Sequence, residues 1–136
     1  MSDHELSGFV TAGRLRATTE FDRLAEMDVV LICVPTPLSK TKAPDLSFIM
    51  SAVDEIRPRL RREQLIVLES TTYPGTTSEV ILGSLESTGL RAGTDFHLCF
   101  SPERINPGDK TNVPSRIPRV VGGITPGCAA VAAQFY

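Results

Sequence analysis

The chain has 136 residues, 41% of them apolar and 22% charged, which is ordinary usage for one globular domain and argues against a disordered chain. Fourteen Lys and Arg against sixteen Asp and Glu give a formal net charge of −2, without the basic excess of a nucleic-acid binder. The longest strongly apolar run, Val29 to Val34, falls far short of the about 20 residues that cross a bilayer, so no membrane partner is expected.

The start, Met1-Ser2-Asp3-His4-Glu5, is polar and acidic and does not read as a signal peptide. Cys33, Cys99 and Cys128 make an odd count with no CxxC spacing, which argues against a disulfide framework or a zinc site. With no charged loop or histidine beside them, buried and inert thiols are expected. A reduced, cytoplasmic protein follows. His4 and His97 have no partner at metal-ligand spacing.

In chain order, residues 3–12 read as a helix stopped by Gly13, Leu15 to Thr18 as a short strand, and Glu20 to Met27 as one or two helical turns. Asp28 to Val34 is continuously apolar after its first residue and ends at Pro35, the pattern of a strand buried on both faces. After the proline-bearing loop from Pro35 to Pro44, Asp45 is an N-cap and Leu46, Ile49, Met50, Val53, Ile56 and Leu60 follow at helical spacing. The arginines at 57, 59, 61 and 62 crowd the end of that helix, where cations suit the dipole. Gln64 to Glu69 is a second buried-type strand. The turn from Ser70 to Gly75 leads to a third helix, for which Thr76-Thr77-Ser78-Glu79 predicts a capping box and Gly89 a C-cap. Phe96 to Phe100 is the next strand. A polar loop from Ser101 to Arg116, a short strand from Arg119 to Val121 and a helix from Cys128 to Tyr136 complete the chain, and Gly122-Gly123 predicts close backbone packing.

Strands alternating with helices predict an α/β fold with a parallel, doubly wound sheet. Such sheets bind ligands beyond the carboxyl ends of their strands. Three polar groups sit at those ends: Pro35-Thr36-Pro37, Ser70-Thr71-Thr72 and Ser101-Pro102-Glu103. Each has a plain reading beside a functional one. Thr36 between prolines makes a rigid turn or offers a fixed hydroxyl. Thr71 is a turn residue or a ligand group before a helix N-terminus. Glu103 is a surface carboxylate or a general base. No G-x-G-x-x-G and no P-loop occurs.

Together these segments resemble a known family. Asp28 to Pro37 is similar to the fourth strand of the UDP-glucose/GDP-mannose dehydrogenases. Glu69 to Thr77 resembles their S-T-x-x-x-G-T segment, Ser101-Pro102-Glu103-Arg104 with Pro107-Gly108 their S-P-E-R loop, and Arg119 to Gly123 the close of their nucleotide-binding domain. The resemblance covers essentially the whole chain, in order. It implies a Rossmann-like, doubly wound sheet of which residues 1–136 are an incomplete N-terminal NAD-binding domain, namely its later strands. It implies NAD as cofactor and a nucleotide-sugar as substrate. The family oxidises C6 of that sugar to a carboxylate, with two NAD+ per turnover and a thioester on a cysteine. Thr36 would then lie along the NAD. Thr71 would sit near the nicotinamide and position a water, so it is both a catalytic and a cofactor-binding candidate. Glu103 would assist thioester hydrolysis, and Glu103, Arg104 and Ile105 would approach the substrate. The Ser-Pro-Glu-Arg loop and the Tyr73-Pro74-Gly75 turn are most similar to members acting on UDP-N-acetylhexosamines.

The resemblance also implies that the family's glycine motif would precede Met1 and its catalytic cysteine and lysine follow Tyr136. None of the three cysteines here matches that nucleophile. The expectation is a piece of an enzyme, without turnover by itself, whose parent is a homo-oligomer. In the strand order 3-2-1-4-5-6 the first two strands are central. Without them the strand at Val29 to Val34 has an open edge and uncovered apolar faces, which predicts marginal stability or aggregation. A β-hydroxyacid dehydrogenase-type domain and a non-catalytic, nucleotide-binding remnant are the alternatives.

Overall fold

A computed structural model describes residues 2–38, 44–104 and 117–136. Its centre is a four-stranded sheet in the order β1-β2-β3-β4, formed by Val29–Ile32, Leu65–Leu68, His97–Phe100 and Gly122–Gly123. The first three strands are parallel, with Val30 opposite Ile66 and Ile66 opposite Leu98. The short β4 runs antiparallel to β3, with Gly123 opposite Cys99. The fold is the expected α/β sheet with helices on both faces.

The side-chain alternation of the strands divides the core in two. Val30, Ile32, Ile66, Leu68 and Leu98 point to one face and pack with Ile49, Val53 and Ile56 of α2 (Ser47–Ile56) and Leu85 of α3 (Leu82–Glu86). Leu65, Val67 and Cys99 point to the other and meet Cys128 and Ala132 of α4 (Pro126–Phe135). All four residues of β2 are buried, as befits a strand flanked on both sides and covered on both faces.

The expectation for Asp28 to Val34 is corrected. Only Val30 and Ile32 of β1 are buried, Leu31 is 40% exposed, and Cys33 is exposed as well. β1 is the edge of the sheet, and α4 lies over β2 and β3. The apolar run is therefore continuous in sequence and covered on one face. The expected strand at Leu15 to Thr18 is absent; that segment is exposed and pairs with no strand among the described residues. β4 falls at residues 122–123 rather than 119–121, where two glycines let α4 close onto the sheet. A Cβ on Gly123 would lie 2.2 Å from the Ala129 nitrogen, so the expected close packing is present there.

Local chemistry sets the helix limits. α1 (Asp3–Thr11) has the reciprocal Ser2–Glu5 capping box, and Gly13 follows it at φ 68°; the helix buries no residue. Ser47 N–H donates to Asp45 Oδ1 at 2.9 Å ahead of α2. Pro58 lacks the N–H that would extend this helix, so it passes into a 3-10 turn, Arg57–Arg59, rather than running on to Leu60. The predicted box at Thr76 to Glu79 does not form. Gly75, at φ 97°, is the cap. Thr76 is buried inside a π-helical segment, Thr76–Ile81, with its hydroxyl donating back to Tyr73 O at 3.0 Å.

The arginines after α2 are mostly tied to other groups rather than only to solvent. Arg59 pairs with Asp22 at 2.7 Å and with Glu55 at 2.8 Å. Arg61 pairs with Asp28 and donates to the Ala25 and Met27 carbonyls. Gln64, 1% exposed, donates to the Leu24 and Met27 carbonyls, each at 2.8 Å. These bonds seat the 3-10 helix Phe21–Glu26 against the sheet.

Candidate functional site

The carboxyl ends of the three parallel strands open into one cleft of about 310 Å³, lined by Cys33, Val34, Pro35, Thr36, Glu69, Ser70, Thr71 and Glu103. Three of the residues singled out from sequence, Thr36, Thr71 and Glu103, therefore line one cavity although they come from three separate loops. Arg104 is exposed beside it, its backbone N–H donating to Glu103 Oε1 at 2.6 Å. Ile105 lies outside the described residues.

Strand register explains the convergence. Ile32, Leu68 and Phe100 are aligned at the strand ends, so the residues after them leave the sheet at one level. The loops are then tied together. Val34 N–H donates to Ser70 Oγ at 2.8 Å, and Ser70 Oγ donates to Ile32 O at 3.2 Å. Glu103 N–H donates to Glu69 O at 3.4 Å. The hydroxyls of Thr36 and Thr71 have no protein hydrogen bond among the described residues, which leaves them available to a ligand.

The structure adds a residue that sequence reasoning assigned no role. Glu69, 9% exposed, holds a cluster at the floor of the cleft. Its Oε1 accepts from Arg119 Nη1 at 2.8 Å and from the Tyr136 hydroxyl, and its Oε2 accepts from Cys33 Sγ at 3.4 Å. Arg119 also reaches Ser101 Oγ and Glu103 Oε2, each at 3.5 Å, and its guanidinium carbon sits 4.5 Å from the Tyr136 ring centroid. Burial, and then the bond to Glu69, push the Cys33 thiol up to about 11 and the Tyr136 phenol up to about 12. Both stay protonated at neutral pH and act as donors. The signal in the sequence was a carboxylate directly after four consecutive buried residues, a position that demands a charged partner. That partner, fifty residues on, has no local spacing to reveal it.

A second, more apolar cavity of about 360 Å³ lies between the Thr72–Ser78 segment and Phe100, Gly122, Gly123 and Ile124. It contains none of the sequence candidates. Among the described residues no His, Cys, Asp or Glu cluster could hold a metal ion, and no helix is long and apolar enough to cross a membrane.

Residues 3–136 match the NAD binding domain of the UDP-glucose/GDP-mannose dehydrogenase family. The chain belongs to that family. It is 39% identical over 126 residues to a UDP-N-acetyl-D-glucosamine 6-dehydrogenase of Pseudomonas aeruginosa, covering 92% of this chain and 30% of that protein. It is 34% identical over 134 residues to a UDP-N-acetyl-D-mannosamine dehydrogenase of Pyrococcus horikoshii, covering 98% of this chain and 32% of that protein. Among solved structures, the NDP-N-acetyl-D-galactosaminuronic acid dehydrogenase of Methanosarcina mazei Go1 superposes with a TM-score of 0.87 at 33% identity, over 98% of this chain and 29% of that one. The chain thus spans about a third of the length of the relatives it matches. NAD is the cofactor of this domain family. The cleft suits it: hydroxyls without a hydrogen-bond partner among the described residues stand at the carboxyl ends of parallel strands, where dinucleotides bind in doubly wound sheets.

Proposed function

We propose that residues 1–136 are the later part of the N-terminal NAD-binding domain of a nucleotide-sugar 6-dehydrogenase acting on a UDP-N-acetylhexosamine. The parent reaction takes the C6 alcohol to a carboxylate through a thioester on a cysteine of the parent. Four electrons leave C6 as two hydrides, which accounts for two NAD+ per turnover, and water supplies the second oxygen. NAD, when bound, supplies the hydride acceptor.

Within this chain, Thr36 holds the cofactor along the end of β1, and Thr71 holds its nicotinamide end and a water. Glu103 takes a proton from that water as the thioester is hydrolysed, and Arg104 and Ile105 approach the nucleotide-sugar. A carboxylate lining the cleft beside two hydroxyls suits general-base work. A cytoplasmic location and a homo-oligomeric parent go with this reading. The observation that carries it is the meeting of Thr36, Thr71 and Glu103 in one cleft from three separate strand ends. The names of the relatives support the substrate class.

The test is calorimetric titration of the purified chain with NAD+, with Thr36→Val and Thr71→Val as controls. Each change is expected to weaken binding about three- to tenfold, the worth of one neutral hydrogen bond. A folded chain that binds no NAD+ would confine the dehydrogenase assignment to the parent and put the non-catalytic remnant ahead for residues 1–136.

A further inference from the structure

We propose that Glu69 is a positioning residue: its carboxylate fixes Arg119 so that the guanidinium aims the Glu103 carboxylate at the cleft beside Thr36 and Thr71. This rests on the reading of Glu103 as the base.

Glu69 is placed for that task. Its side chain is 11% exposed, against 32% for Arg119 and 44% for Glu103. The chain of contacts therefore runs from a buried end to a more exposed one. Glu69 and Arg119 pair at 2.8 Å, and Arg119 reaches Glu103 with its other terminal nitrogen at 3.5 Å. The planar fork makes these two contacts interdependent, because fixing Nη1 on Glu69 fixes where Nη2 points. The Tyr136 ring under the guanidinium removes another freedom. Glu69 also accepts the backbone N–H of Glu103 through its own carbonyl. The loop after β3 is thereby held at its main chain and at its side chain from one residue of β2's end. The described charged or titratable groups that face Glu103 are Glu69 after β2, Cys33 after β1, Arg104 in its own loop and Arg119 before β4, and Tyr136 at the end of α4 stands behind Arg119.

The proposal has a sign that separates it from a simple field effect. Glu69 is itself negative. Acting only through its charge, its removal would ease ionisation of Glu103 and lower the pH at which Glu103 titrates. Acting by holding Arg119, its removal frees the cation, and Glu103 titrates at higher pH.

The experiment is a 13C NMR titration of glutamate carboxyls in the labelled 136-residue chain, with Glu103 assigned by Glu103→Gln. Arg119→Met is expected to raise the Glu103 midpoint by about half a pH unit, the scale of a partly exposed pair. Glu69→Met is expected to raise it too, and the double variant no further than either single one. Arg119→Lys is expected to recover part of the shift. A Glu103 midpoint that falls or stays put in Glu69→Met overturns the proposal. Should that variant fail to fold, an unmoved midpoint in Arg119→Met overturns it equally. The underlying reading fails separately, through unchanged turnover of a Glu103→Gln parent enzyme, which would leave the titration result standing.

Discussion

The Val34 amide donates to the Ser70 hydroxyl at 2.8 Å, joining the loops that leave β1 and β2. Ser70 is 7% exposed and its hydroxyl donates in turn to Ile32 O at 3.2 Å. Thr36 lies two residues beyond one end of this bond and Thr71 one residue beyond the other. Ser70→Ala strands a partly buried amide, which costs about 1–3 kcal/mol. It should lower the urea midpoint by the corresponding amount and weaken NAD+ binding by about threefold or more. A variant with reduced stability and undiminished affinity would show that the cleft does not depend on this tie.

Gly123→Ala should be among the most damaging single substitutions. Its Cβ would meet backbone atoms of α4 at 2.2 and 2.8 Å, and backbone cannot move aside as a side-chain tip can. Separating α4 from β3 opens the cluster of Leu65, Val67, Cys99, Cys128 and Ala132. A loss of about 3 kcal/mol or more is expected by thermal or chemical unfolding, the upper range of overpacking. Gly122, whose Cβ would lie 4.0 Å from its nearest neighbour, should accept alanine with little change.

Stability should fall at alkaline pH. Burial comes first among the causes that push Cys33 from 9.0 to about 11, Cys99 from 9.0 to about 12 and Tyr136 from 10.0 to about 12. The folded state therefore favours the protonated forms. Their contribution is complete below the unfolded values and disappears as pH rises through the folded ones. Melting temperatures should be level near pH 8 and decline steadily above about pH 9. Alkylation of the exposed Cys33 should be slow at neutral pH and rise about tenfold per pH unit until pH nears 11. Rapid labelling of Cys33 at pH 7 would contradict the assigned environment.

The edge strand predicts self-association. Leu31 is 40% exposed on an edge strand with no strand on its outer side among the described residues, and Leu6, Phe9 and Val10 of α1 are 39%, 45% and 54% exposed. Leu31→Lys should reduce association in sedimentation or light scattering, because an edge lysine opposes strand addition. Its effect on unfolding free energy should be within about 0.5 kcal/mol. A wild-type chain that stays a clean monomer and melts cooperatively at high temperature would refute the expectation.

Much of this architecture is legible in the sequence. β2 and β3 announce themselves because their apolar runs are bounded by polar turns and are buried on both faces. α2 is legible from its spacing, and the rim follows from where the strands stop. β1 misleads because periodicity records which residues are apolar, not whether a neighbour covers them. The box at Thr76 misleads because the same four residues suit a cap or a buried first turn, and Gly75 in the left-handed region settles that competition. The cluster at Glu69 is the deepest omission. Cys33, Arg119 and Tyr136 lie thirty-six, fifty and sixty-seven residues away, and only the folded sheet brings them together.

The segment from Phe21 to Met27 is gripped by its main chain: Gln64 and Arg61 bind the carbonyls of Leu24, Ala25 and Met27. Such bonds recognise a path rather than a set of side chains. Evolution can therefore rewrite the residues at 25 and 27 while the route of the chain stays put, whereas Gln64, one buried amide two residues before Ile66, has far less room to drift.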